Sequence, residues 1–349
     1  MSEAVATDFP ANSMVPAKGV GLVRAWLLLI AVMVYLMILV GGATRLTDSG
    51  LSMTEWKPLT AWPPASEAEW TAEFENYKAL TLQAQVVNAD MDLAGFKGIY
   101  WWEWSHRQLG RVIGVVFAIP FLFLLLTGRT TKKLLPHLGG LFVLGGLQAV
   151  IGWWMVSSGV GANTDLVSVA PYRLMTHFCL ALLIIAYCFW LWLELGGKRR
   201  EAPIEAKPWT NTIIWIVGVQ MALGALVAGL DAGRGYTDWP LMSGQVVPEG
   251  MWRLDPFWRN LFENDATTQF LHRLTAYGLL GVAGWCAWKF RTTHWSLFPL
   301  LGGLVVLQAL LGITTLMHAA PLDLSLTHQA LGVVVLLAAT RLVWTLRRA

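Results

Sequence analysis

Long runs free of Asp, Glu, Lys and Arg alternate along this chain with short polar segments. They occupy 25–44, 112–128, 134–164, 174–193, 208–230, 274–288, 292–322 and 324–340. About 20 apolar residues cross a hydrocarbon core, and most of these runs reach that length, alone or with their flanks. The pattern predicts an all-α integral membrane protein of about eight transmembrane helices. The run 25–44 is too long for the apolar segment of a signal peptide, and Glu3 and Asp8 precede it. It reads as the first span, retained.

Composition agrees. Of 349 residues, 56% are hydrophobic and 13% charged, against about 25% charged in soluble domains. Much of the surface therefore has no need of water. The three cysteines, Cys179, Cys188 and Cys286, all lie in apolar runs, so neither a disulfide framework nor a thiolate metal site is expected. Many tryptophans, Trp101, Trp102, Trp104, Trp153 and Trp154 among them, sit where helix ends meet the interface. The net charge of +3 is concentrated in short loops and reports topology; no nucleic-acid partner is expected. Lys18 and Arg24, Arg129 to Lys133, Lys198 to Lys207, Lys289 and Arg291, and Arg347 and Arg348 all fall on one side. The positive-inside rule makes that side the cytoplasm, with both termini there. The opposite side carries long loops, roughly 45–105 and 231–269. The first is acidic, with Asp48, Glu55, Glu67, Glu69, Glu73, Glu75, Asp90 and Asp92.

The chain repeats itself. Gly50-Leu51-Ser52-Met53-Thr54-Glu55-Trp56-Lys57-Pro58-Leu59 after the first span answers to Gly233-Arg234-Gly235-Tyr236-Thr237-Asp238-Trp239-Pro240-Leu241 after the fifth. Leu147-Gln148-Ala149 with Gly152 answers to Leu307-Gln308-Ala309 with Gly312. His106-Arg107 answers to His272-Arg273, and Thr176-His177 to Thr327-His328. The expected organisation is a leader 1–24, a first four-helix half 25–195, a linker 196–208 and a second half 209–345. The halves form two pseudo-symmetric four-helix bundles about an axis along the membrane normal.

A repeat implies two similar sites, and four histidines mark them. His106, His177, His272 and His328 each open an even-numbered span, so all lie at one depth near the outer leaflet. A single histidine there is ordinarily an interfacial residue. Four, paired by the repeat, point to a function. Zinc wants closely grouped ligands, and a proton relay wants groups staggered across the membrane. Haem wants two imidazoles on opposite faces of a disc between helices. One turn beyond the histidines stand Gly110, Ala181, Ala276 and Gly332, small enough to admit a porphyrin or simply to tighten helix packing. Arg107, Arg111, Arg173 and Arg273 stand at the same level as candidate partners for haem propionates. The halves differ at one telling position. Glu103 precedes His106 by three residues, and Gln269 so precedes His272. A carboxylate can act as a base and an amide cannot, so the first half looks reactive and the second a cofactor site. Against this stands a simple surface ion pair of Glu103 with Arg107.

Together Glu103-Trp104-Ser105-His106-Arg107, His177, Phe270-Leu271-His272-Arg273, Thr327-His328 and the stretch after the first span resemble the haem A synthase family over most of the chain. The resemblance implies oxidation of a methyl group of haem O to a formyl group, giving haem A for terminal oxidases. It implies haem b as cofactor on His272 and His328, substrate haem on His106 and His177, and Glu103 in catalysis. It further implies a bacterial inner-membrane location with the sites toward the periplasm. Haem O synthase, oxidase assembly factors and an electron acceptor would be partners, and self-association stays open. Some members carry a cysteine pair in the first outer loop. This chain has none, which sets it nearer the proteobacterial and mitochondrial branch. The rival readings are a dihaem b-type cytochrome serving quinone, which would ordinarily place its haems at two depths, and a transporter, which would need polar, broken helices near the midplane. Water and dioxygen both remain open as the oxygen source.

Overall fold

The computed structural model describes residues 19–58, 62–161, 164–196, 204–292 and 297–346. Twelve α-helices follow one another among them: α1 Val20–Leu46, α2 Glu67–Leu80, α3 Leu82–Val86, α4 Leu93–Leu126, α5 Leu135–Val156, α6 Pro171–Glu194, α7 Lys207–Gly229, α8 Ala232–Gly235, α9 Asn260–Glu263, α10 Asp265–Lys289, α11 Phe298–Met317 and α12 Leu322–Leu346. Among the described residues β-structure is limited to one isolated bridge, Met242 with Gln245. Of the basic groups that set the expected topology, Lys18, Lys198, Arg199, Arg200, Arg347 and Arg348 lie outside the described residues, as do His294 and most of the leader.

Seven helices, α1, α4, α5, α6, α7, α11 and α12, are long and apolar enough to cross a membrane. The chain is a multi-pass helical membrane protein. The expected sixth span is α10, 25 residues long, whose opening turns carry Asp265, Thr267, Thr268 and Gln269. Helix starts follow local chemistry. Pro136, Pro171, Pro208 and Pro299 stand in the first turns of α5, α6, α7 and α11, where a missing N–H costs nothing. Asp92 and Asn264 cap α4 and α10 by accepting the N–H groups of Gly95 and Thr267. Pro120 inside α4 removes the bond that the Val116 carbonyl would accept. The Trp26 indole N–H of α1 satisfies that carbonyl instead, at 2.9 Å.

Contacts repeat in the two halves. α1 packs on α4 and α6, and α5 on α6. In the second half α7 packs on α10 and α12, and α11 on α12. The halves meet through α1, α6, α7 and α12, whose buried faces share one apolar core. On the long-loop side a second cluster, with Trp70, Phe74, Tyr77, Phe96 and Tyr100, fastens α2 over the start of α4. Outside lipid each such burial contributes about 1.5–3 kcal/mol, which holds the acidic loop down as a roof over the histidine-bearing helix ends.

Candidate functional site

Each of the four histidines rests on a glycine of a neighbouring helix. A Cβ at Gly41 would lie 2.9 Å from His106 Nε2, and one at Gly152 would lie 2.9 Å from His177 Cε1. In the second half a Cβ at Gly224 would come within 3.1 Å of His272 Cε1, and one at Gly312 within 2.8 Å of His328 Cε1. Any larger residue would displace the ring. His106 lies within electrostatic reach of His177, and His272 of His328. The expected pairs are thus brought together, one in each half. Among the described residues no three His, Cys, Asp or Glu side chains gather as a metal-ion site; these histidines meet in twos.

Glutamines stand one turn before three of the glycine seats. Gln148 Nε2 donates to the His177 carbonyl at 3.0 Å and stands 3.4 Å from His177 Nε2. Gln308 Nε2 repeats this with His328 at 2.9 and 3.4 Å. Gln220 Nε2 stands 3.1 Å and 3.2 Å from the two ring nitrogens of His272. The fourth such position holds Met37, whose methyl group packs toward Gly110. The repeat had exposed Gln148 and Gln308 without giving them a task. The signal was the Gln-x-x-x-Gly spacing, which recurs at Gln220 and Gly224. Buried atoms around the rings lack partners: Oε1 of Gln148, Gln220 and Gln308, and Nδ1 of His177 and His328. Buried polar atoms are ordinarily satisfied. Paired imidazoles, glycine seats and unsatisfied polar atoms fit a bis-histidine haem in each half.

Glu103 corrects one expectation. Its pair with Arg107 is no surface contact, because Glu103 is 3% exposed. Its Oε1 accepts from Arg107 Nε at 3.0 Å and Nη2 at 2.5 Å, and its Oε2 from Ser52 Oγ and the Met53 N–H, both at 2.8 Å. Gln269 occupies the matching place with the polarity its own loop needs. Its Nε2 donates to the Ala232 and Tyr236 carbonyls, and its Oε1 accepts from Arg273. One loop presents donors and the other presents carbonyls, so carboxylate and amide are each complementary to their surroundings.

The four arginines are engaged with backbone carbonyls. Arg107 donates to the Met53 and Glu55 carbonyls, and Arg111 to those of Lys57 and Pro58. Arg173 donates to the Trp154 carbonyl, and Arg273 to those of Tyr236, Asp238 and Leu241. The Arg after each α4 and α10 histidine thereby pins the repeated loop motif. Of the four small positions, Gly110 receives Met37 and Gly332 receives Gln308. Both serve close helix packing. Of the remaining histidines, His137 pairs with the Tyr187 hydroxyl and His318 with the Thr314 carbonyl.

A family profile described as cytochrome oxidase assembly protein matches residues 24–340. The chain belongs to that family. It is 54% identical over 336 residues to a heme A synthase of Hyphomonas neptunium, covering 95% of each chain. It is 48% identical over 321 residues to a heme A synthase of Rhizobium rhizogenes, covering 90% of this chain and 86% of the other. A heme A synthase of a Caulobacter species is 47% identical over 336 residues, covering 93% and 96%. The family match spans both histidine pairs, Glu103 and Gln269.

Proposed function

We propose that this chain is a haem A synthase, an oxidoreductase that converts a methyl group of haem O to a formyl group. The observation that carries the reading is the difference between two otherwise matching sites: a buried carboxylate stands three residues before His106 and a buried amide three residues before His272. His106 and His177 hold the substrate. His272 and His328 hold haem b, which when bound supplies one-electron redox chemistry. With water as oxygen donor, the net change releases four electrons and four protons per methyl group.

In this reading Glu103 takes such protons in turn. Oε1 is committed to Arg107. Oε2 is the atom that can be freed, because Ser52 Oγ has a second acceptor in the Ser49 carbonyl, 2.9 Å away. Turning the hydroxyl to that carbonyl opens a lone pair on Oε2. The Met53 N–H and Arg107 meanwhile keep the carboxylate in position. Gln148 orients His177, and Gln220 and Gln308 orient the second pair. The arginine-pinned loops limit water at the histidine level. Both termini and the short basic loops face the cytoplasm, and the sites face the periplasm.

Pyridine haemochrome extraction of the purified protein tests the reading. Haem O or haem A beside haem b supports it. Haem b alone favours a dihaem cytochrome and removes it.

A further inference from the structure

The two halves differ in how their outermost helices meet, and the histidines and glycine seats set the register for comparison. Phe121 follows His106 by the same interval as Ala287 follows His272. Phe142 precedes Gly152 by the same interval as Gly302 precedes Gly312. In the first half Phe121 and Phe142 stack with ring centroids 5.4 Å apart. In the second, a Cβ on Gly302 would lie 3.1 Å from Ala287 Cβ. At one and the same spot, two aromatic rings prop α4 from α5, while two small residues let α10 close on α11.

Nearer the histidines the sizes reverse. Gly114 matches Leu280, and Gly145 and Gly146 match Val305 and Val306. A Cβ on any of these three glycines would have no neighbour within 4 Å. Of these counterparts Val305 is buried and Leu280 half-buried, while Val306 is 50% exposed. Gly114 lies on the same face of α4 as Phe121, and Gly146 on the same face of α5 as Phe142. α4 consequently touches α5 little, whereas α10 packs along α11. Residues 112–126 of α4 and all of α5 carry no Asp, Glu, Lys or Arg, so the opening presents an apolar rim to lipid. It leads to the half that holds His106 and His177, where His177 Nδ1 and Gln148 Oε1 are unpartnered as their counterparts His328 Nδ1 and Gln308 Oε1 are in the second half.

We propose that the opening between α4 and α5 is the lateral entrance through which haem O, held in lipid by its apolar tail, reaches His106 and His177. The Ala287–Gly302 closure correspondingly keeps the second-half haem resident. Gly114, Gly145 and Gly146 leave a flat ring nothing to push aside, and Phe121 with Phe142 forms the floor. The proposal rests on the reading of the first pair as the substrate site.

The test uses the full chain in proteoliposomes mixed with vesicles carrying haem O, with uptake followed by the Soret absorbance of the bis-imidazole complex. Gly114→Trp and Gly146→Trp fill open space without a clash. Gly303→Trp adds the same bulk on α11, where a Cβ likewise meets nothing. Each blocking variant is expected to slow uptake about tenfold or more, within the range over which association rates vary among variants of one site. The haem b content as purified and the Gly303→Trp uptake rate should match wild type. Wild-type uptake rates in both blocking variants overturn the entrance. Uptake that persists unchanged in His106→Ala plus His177→Ala overturns the substrate-site reading itself, and the entrance with it.

Discussion

Replacing Glu103 by Gln perturbs more than one proton. The amide oxygen will face Arg107, as Gln269 faces Arg273, and the amide N–H₂ will then face the Met53 N–H. That donor is stranded, at a cost of about 1–3 kcal/mol. Arg107, whose side chain is 15% exposed, also loses its counter-charge. Removing one partner of a buried pair costs about 3–5 kcal/mol, so a net loss near 3 kcal/mol is expected once the Ser52 hydroxyl turns to accept. Heat-ramped tryptophan fluorescence of the detergent-purified protein should show unfolding at a lower temperature. Chromatography of extracted haem, from membranes that also hold a haem O source, should show haem b retained and little haem A. Ser52→Ala separates structure from chemistry. It removes one hydrogen bond to the carboxylate, at about 1.5–3 kcal/mol, and leaves the carboxylate in place, so haem A should still form. Wild-type haem A from Glu103→Gln, or a loss of haem A in Ser52→Ala as deep as in Glu103→Gln with the protein intact, would refute the assignment of this carboxylate as the base.

Further outcomes follow from the same geometry. His272→Ala with His328→Ala should abolish the low-spin b-type spectrum of the purified protein; an unchanged spectrum would place haem b elsewhere. Gly312→Ala sets a methyl against His328, an overpacking of about 1–3 kcal/mol, and should lower haem b content by the haemochrome assay, while Gly303→Ala should not. The N–H groups of Gly244 and Ser243 hold the Asp238 carboxyl below the usual carboxylate range. A depressed carboxyl stabilises its loop above its ordinary titration range and loses that contribution as pH falls through the lowered value. Proteolysis within residues 238–250, with a protease active throughout and corrected for its own pH profile, should therefore increase in the wild type only as pH falls below the ordinary carboxylate range, whereas in Asp238→Asn it should be raised and independent of pH over that range. Reporter fusions at position 200 and within 67–75 should give opposite readouts; like readouts would overturn the topology.

The sequence by itself determined the helices and the repeat. Spans are legible because lipid imposes a local rule on every exposed residue: long runs must be apolar, whatever they pack against. The pairing of His106 with His177 and of His272 with His328 was legible because duplication copies positions, and α10 was legible despite its polar opening because residues 274–288 form a charge-free run. What tertiary structure decided lies between helices. Burial of Glu103 came from the loop 47–58 folding back over α4, and an i,i+4 spacing to Arg107 reads the same on a surface as beneath a roof. The four candidate propionate arginines turned to backbone carbonyls instead, of loops for Arg107, Arg111 and Arg273 and of the end of α5 for Arg173. The glycine seats, the Gln amides and the contrast of Phe121–Phe142 with Ala287–Gly302 depend on axial register between neighbouring helices. Hydropathy is blind to that register, because phenylalanine, alanine and glycine are all admissible in lipid and differ only in how closely they let two backbones approach.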